Sequence, residues 1–331
     1  MLQHLRGSMG TKPPEPDEVE PVETADREKP IKIGLALGGG AARGWAHIGV
    51  LQALEERGIV PHVIAGTSIG AVVGGCHLAG KLDRLELFAR SLSRRRILGL
   101  LDLNFGGSSL IGGDRLVKLL SADLADMRIE DLKRQFIAVT TEVGTGHEIW
   151  HSEGNLVNAI RASFSLPGIF KPTQLNNRWQ IDGALVNPIP VSVCRAFGAR
   201  MVIAVNLSAN VFGRGTVIHD HGLLEDETAI EEIPEALSAP ARAKRLLMRQ
   251  LMGRKDGPPG ISAIMVDAFN IIQDRISRSR LAGDPPDVLI SPRVGDVGLF
   301  EFHRADETIK LGRDAVHAAI DSLDDAFVRL A

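Results

Sequence analysis

The chain has little basic excess, little cysteine and no long apolar run, and each shortage excludes a class of protein. Its 38 Lys and Arg against 41 Asp and Glu leave a formal net charge of −3. A nucleic-acid binder normally shows a strong basic surplus, so no nucleic-acid partner is expected. Two cysteines occur, Cys76 and Cys194, with no CxxC spacing. They read as buried reduced thiols of a cytoplasmic protein rather than as a disulfide framework. No stretch reaches the roughly 18 uninterrupted apolar residues that a spanning helix needs, so any membrane contact is expected to be peripheral. Residues 1–30 are rich in Pro, Glu and Asp (PPEPDEVEPVETADREKP) and lack the apolar run of a secretory signal, so they read as a disordered tail.

What is present supports a large core: 331 residues, 44% of them hydrophobic. Order is expected from Ile31. Residues 31–37 (IKIGLAL) read as a buried strand running into Gly38-Gly39-Gly40, and 42–57 as a helix with Ile48, Leu51 and Leu54 on one face and Gly58 beyond its end. A strand at 62–65, a sharp turn at 66–70 and a helix at 71–79 follow. Residues 82–101 read as a helix with a basic face (Arg90, Arg94, Arg95, Arg96). A hairpin is expected from 136–143 and 147–151, then a helix at 155–163, a strand at 178–181 ending at Asp182-Gly183, a helix at 191–197 and a buried strand at 201–207. Residues 208–260 pass from acidic to basic and read as a mobile insertion. Helices at 261–281 and 303–322 flank a short strand at 287–291. Strands alternating with helices predict an α/β fold, a mainly parallel central sheet with helices on both faces, over residues 31–325.

Three groups carry chemistry. Gly66-Thr67-Ser68-Ile69-Gly70 fits G-x-S-x-G, in which a strand turns into a helix so tightly that the serine oxygen projects above the sheet. The helix N-terminus beneath favours a developing alkoxide. The run Gly38-Gly39-Gly40-Ala41-Ala42-Arg43-Gly44 opens the first helix and leaves backbone N–H groups bare for an anion, as an oxyanion hole or a phosphate cradle requires. A dinucleotide site would need glycine where Arg43 stands and an acid after the second strand, which instead ends in Ile64-Ala65-Gly66. Asp182-Gly183-Ala184 offers a carboxylate beside a glycine that lets the chain bend toward the serine. Of the ten histidines none has comparable support. His47 is expected to pack within the first helix, and His147 and His151 to be solvated on the hairpin. His219-Asp220-His221 reads as a solvated loop, since alternate residues of an extended chain point apart.

In this order the G-G-G-x-x-R-G loop, the G-T-S-I-G elbow and the D-G-A motif resemble the patatin-like phospholipases, in particular their stand-alone bacterial branch. HIGVLQALEERGI, RASFSLPGIFKP, DGALVNPIPV and AGDPPDVLISP extend the likeness over roughly 31–325. The resemblance implies a three-layer sandwich and a dyad of Ser68 and Asp182 without histidine, metal or cofactor. It implies an oxyanion hole from the amides of Gly39, Gly40 and Ala41, with Gly38, Arg43, Gly44, Gly66, Gly70 and Gly183 in support. Many members carry glycine where this chain has Ala41. Arg43 would either anchor the loop or meet a substrate phosphate.

The implied activity is hydrolysis of a phospholipid or lysophospholipid ester through an acyl-enzyme. Desolvation should raise the pKa of Asp182 so that it works as a base. A soluble esterase or thioesterase, or a catalytically silent regulator of the same fold, are the alternatives. Residues 241–255 (ARAKRLLMRQLMGRK) would form a helix with one basic and one apolar face, fit for an anionic membrane surface, for capping the protein itself or for a dimer contact. Head group, acyl length and oligomeric state are left open.

Overall fold

The computed structural model describes residues 31–94, 122, 124–167, 169–209 and 261–330. Its frame is one eight-stranded sheet. In chain order the strands are β1 (Ile33–Leu37), β2 (Val63–Thr67), β3 (Gln135–Glu142), β4 (Glu148–His151), β5 (Thr173–Leu175), β6 (Arg178–Asp182), β7 (Met201–Val205) and β8 (Val288–Ile290). Parallel pairings join β3, β2, β1, β7 and β8, and β4, β5 and β6 add antiparallel pairs at the β3 end. The mainly parallel α/β sheet expected from the sequence is therefore present.

Alternation along the buried strands serves two faces, and each face has its own core. Leu35, Leu37, Ile64, Phe136, Ile203 and Val205 point to one. Ala36, Val63, Ala65, Ile137, Val202 and Ala204 point to the other. The first face is covered by α1 (Ala46–Glu56), α2 (Ile69–Leu78), α3 (Leu82–Arg90), α4 (Leu156–Ser163), α7 (Ala305–Ala318) and α8 (Ile320–Leu330). The second takes α5 (Val191–Ala196), with Leu281 of α6 (Ile261–Gly283) packed beside it. Every residue of α2 is buried, His77 included, as befits a helix that is otherwise small or apolar on all sides. Helices α1 and α7 cross with backbones almost touching. A Cβ on Gly49 would strike the Ile309 carbonyl, and one on Gly312 the Ala46 carbonyl.

Several boundaries differ from expectation, each for a local reason. Of the helix expected over 82–101, the first part is interrupted after Arg90, where the chain turns and Leu92 enters the core, and 95–101 lie outside the described residues. The first helix opens with a 3-10 turn, Ala41–Trp45. The helix expected over 303–322 is broken at Ala319, whose φ of −99° and ψ of 8° leave the helical range. His151 is buried rather than solvated. It faces the sheet and bonds Gln180 Oε1 at 2.6 Å. His147 stays exposed, as expected. Cys76 and Cys194 are buried thiols outside any disulfide, and burial pushes the Cys194 thiol up to about 12. The tail 1–30, Arg95, Arg96, the 210–260 stretch with His219-Asp220-His221, and the amphipathic segment 241–255 lie outside the described residues. Among the described residues no helix is long and apolar enough to cross a membrane.

Candidate active site

Strand register alone brings Ser68 and Asp182 together. Along one edge of β3 runs β4, with Trp150 opposite Val139 and Ile149 opposite Thr140. The other edge is shared end to end: Thr67 of β2 pairs with Val139, and Asp182 of β6 pairs with Thr140. Where β2 leaves β3 to make its turn, β6 arrives from the opposite direction. The residue after Thr67 and the last residue of β6 therefore meet, although 114 positions separate them. Ser68 Oγ donates to Asp182 Oδ2 at 2.6 Å.

The turn occupies Ser68 itself, with φ 56° and ψ −123°. Such values are costly for a residue with a side chain, by ~1–3 kcal/mol, and persist only where the surroundings enforce them. The enforcement comes from close approaches. Gly66 lies in β2 and Gly70 in α2, not in a five-residue turn as expected. A Cβ on Gly66 would meet Ala71 Cα at 2.6 Å, and one on Gly70 would strike the Leu37 carbonyl. Gly183 similarly abuts the Val139 carbonyl, and Gly44 abuts Ile69.

Ser163 pins the elbow from below. Its Oγ accepts from Ser68 N–H at 2.9 Å and donates to the Val139 carbonyl at 2.6 Å. Sequence reasoning did not single it out, although the RASFSLPGIFKP block that holds it was visible. In the same block the Ser165 carbonyl accepts from Asp182 N–H at 3.0 Å.

Asp182 is almost fully buried. Its Oδ1 is held by Ala184 N–H at 2.9 Å, which turns Oδ2 toward the serine. Burial pushes its carboxyl up to about 7 against the lowering effect of these two hydrogen bonds. The group is thus poised between acid and base near neutrality.

The glycine loop lies above the serine. Gly38 N–H donates to the Val205 carbonyl at 3.3 Å, and the Gly38 carbonyl accepts from His47 Nε2 at 2.7 Å. Burial lowers His47 to about 4, so it is neutral and its proton sits on Nε2. It packs beneath the loop, as expected. Gly39 N–H donates to the Pro188 carbonyl at 3.0 Å, so this amide is already engaged. Among the described residues no backbone acceptor takes the amides of Gly40 or Ala41. Ala41 adopts φ 49°, the left-handed conformation that glycine reaches without strain. Arg43 is buried, and its Nε donates to the Val297 carbonyl at 2.7 Å and its Nη1 to Asn270 Oδ1 at 3.2 Å. Of its two expected roles, the contacts are those of an anchor.

Ser68, Asp182, Gly40 and Ala41 open onto a pocket of about 80 Å³ walled by Ile69, Val72, Leu166, Phe164, Phe170, Phe269, Phe300 and Phe302. Five of the chain's 11 phenylalanines converge there. No histidine lines it among the described residues. Nor do the described residues hold a group of three or more His, Cys, Asp or Glu able to bind a metal. The arrangement can take an apolar chain and place a carbonyl beside a serine, a carboxyl and two bare amides.

A family model described as patatin-like phospholipase matches residues 35–195, a span that contains the glycine loop, Ser68 and Asp182. An uncharacterized NTE family protein of Mycobacterium tuberculosis is 32% identical over 332 residues, covering 88% of this chain and 92% of that protein. Lysophospholipase NTE1 of Saccharomyces cerevisiae is 37% identical over 182 residues, which is 54% of this chain but 11% of the yeast protein. Among solved structures, VipD from Legionella pneumophila shares the fold with a TM-score of 0.52 at 14% identity, over 88% of this chain and 67% of its own. The chain therefore belongs to the patatin-like phospholipase family of lipid hydrolases.

Proposed function

We propose that the protein hydrolyses the carboxylic ester of a phospholipid or lysophospholipid, with Ser68 as nucleophile and Asp182 as its base, within a hydrolase domain spanning 31–325. The observation that carries this is the 2.6 Å bond from Ser68 Oγ to Asp182 Oδ2 at the edge of an apolar pocket. The acyl chain lies among the phenylalanines. Asp182 takes the serine proton as Oγ adds to the ester carbon and returns it to the leaving alkoxide. The oxyanion faces the amides of Gly40 and Ala41 and the N-terminus of α2. Gly39, whose amide is held by Pro188, positions the loop rather than donating. Water then attacks the acyl-enzyme, with Asp182 again as base. A lysophospholipid as substrate is supported by the name of the yeast relative. A monoacyl substrate also suits the apolar pocket beside Ser68.

The experiment is a panel of phospholipids and lysophospholipids offered to the purified protein, with fatty-acid release measured alongside covalent labelling by a fluorophosphonate. Ser68→Ala is expected to abolish both. Asp182→Asn is expected to abolish turnover with the fold intact, and the double variant to be no worse than either, because members of one catalytic unit are not additive. A folded histidine variant as damaged as Ser68→Ala would replace the dyad with a triad. Peripheral membrane association at the inner face belongs to the same proposal. It is read out by co-sedimentation with anionic vesicles at low and high salt.

A further inference from the structure

Gln273 is the polar side chain in the pocket that this mechanism leaves unused. It stands on α6, is 4% exposed, and lines the cavity beside Ser68, Asp182, Gly40 and Ala41. No hydrogen bond joins its carboxamide to any described residue. The carboxamide is open to the cavity rather than sealed among unpaired buried atoms, so a ligand in the pocket can supply the hydrogen-bond partner that the described residues do not.

Two neighbours define where this carboxamide stands. On the same helix face, one turn earlier, Asn270 Oδ1 accepts from Arg43 Nη1, which ties α6 to the glycine loop. A Cβ at Gly39 would lie 2.9 Å from Gln273 Nε2 and 3.6 Å from Ser68 Cβ. The carboxamide and the serine thus flank the same point, within reach of a small group bonded to Ser68 Oγ. Because Gly39 N–H is taken by Pro188, the loop has two free amides to offer an oxyanion.

We propose that Gln273 is the third donor: its Nε2–H binds the acyl oxygen as the tetrahedral centre forms on Ser68, beside the amides of Gly40 and Ala41. This rests on the serine-hydrolase reading above. No proton is transferred; the hydrogen bond strengthens as negative charge moves onto the oxygen. A carboxamide suits the place because it donates at every pH and does not compete with Asp182 for its proton.

The test uses the full chain, 4-nitrophenyl butyrate for turnover and a fluorophosphonate for the rate of Ser68 modification, whose transition state also places charge on an oxygen. Gln273→Met keeps length and apolar contact and removes the donor. Its kcat is expected to fall by about 100-fold, the scale of one lost oxyanion donor. KM should stay within about threefold, and the modification rate should fall in parallel. Gln273→Glu keeps the shape but repels an oxyanion once ionised, so its activity should decline on the alkaline side where the parent protein is most active. A Met variant with kcat and modification rate near those of the parent overturns the proposal. So does a Glu variant with the parent's pH profile, and this second arm decides if Met lowers the melting temperature. A parent protein whose Ser68 is not modified and which cleaves no ester instead overturns the reading of the site, and this proposal falls with it.

Discussion

At Asp182 burial and the proposed chemistry pull in opposite directions, since the environment that would suit the carboxyl to act as a base also disfavours its charge. With its pKa raised to about 7, the carboxyl is half ionised near neutrality. Turnover is therefore expected to rise with pH through an apparent pKa near about 7, and a flat profile from weakly acid to weakly alkaline pH would exclude Asp182 as the base. Stability should move the other way. A carboxyl that holds its proton more tightly when folded contributes stability below its ordinary pKa, and loses it as pH rises through the raised value, at ~1.4 kcal/mol per unit. The melting temperature of the parent should drop over that window, and that of Asp182→Asn should drop less. Parallel melting curves for the two proteins would refute the burial argument. Ser68 and Asp182 were both legible in the sequence because each sits in a motif whose glycines mark a close approach. Ser163 and Gln273 were not, since a lone serine or glutamine on a helix carries no pattern that separates it from a surface residue.

Elements are held by approaches that helix propensity would not favour. In the middle of α7 an alanine should be better than glycine by ~1 kcal/mol. Gly312→Ala is nevertheless expected to destabilise the protein by ~2–3 kcal/mol, because the new Cβ would meet the Ala46 carbonyl of α1. Urea denaturation decides the sign, and a stabilised variant would mean that α1 and α7 do not cross here. The elements whose extent the sequence indicated best were the buried parallel strands, where composition and length leave few alternatives. Helix ends were read less well. Nothing in the sequence at 82–94 marks Arg90 as the end of α3, which stops where Leu92 finds the core. The hairpin was foreseen in place but not in environment: His151 is covered because β6 brings Gln180 across Thr140.

At the scale of the whole molecule, the C-terminal third closes the site assembled by the first two. Arg43 joins the glycine loop to Val297 and Asn270 across 254 and 227 residues. Ala42 N–H donates to the Leu299 carbonyl, and Trp45 Nε1 to that of Phe302. Arg43→Lys keeps the charge but not the fork that reaches two acceptors. It is expected to lose ~1–3 kcal/mol of stability by leaving buried acceptors unpaired, with a fall in kcat as the loop loosens. A variant unchanged in both denaturation midpoint and kcat would reduce Arg43 to a spectator. The sequence by itself determined the α/β alternation, the strand-to-helix elbow at Ser68, the glycine loop and the carboxylate of the D-G-A turn, because each is a local arrangement in which backbone geometry dictates residue type. Only the tertiary structure decided that β2 and β6 share one edge of β3, that Gly39's amide is held by Pro188, and that five phenylalanines and Gln273 converge over the serine. Those are meetings between distant segments, governed by sheet register and by packing of whole helices, and no local residue pattern encodes either.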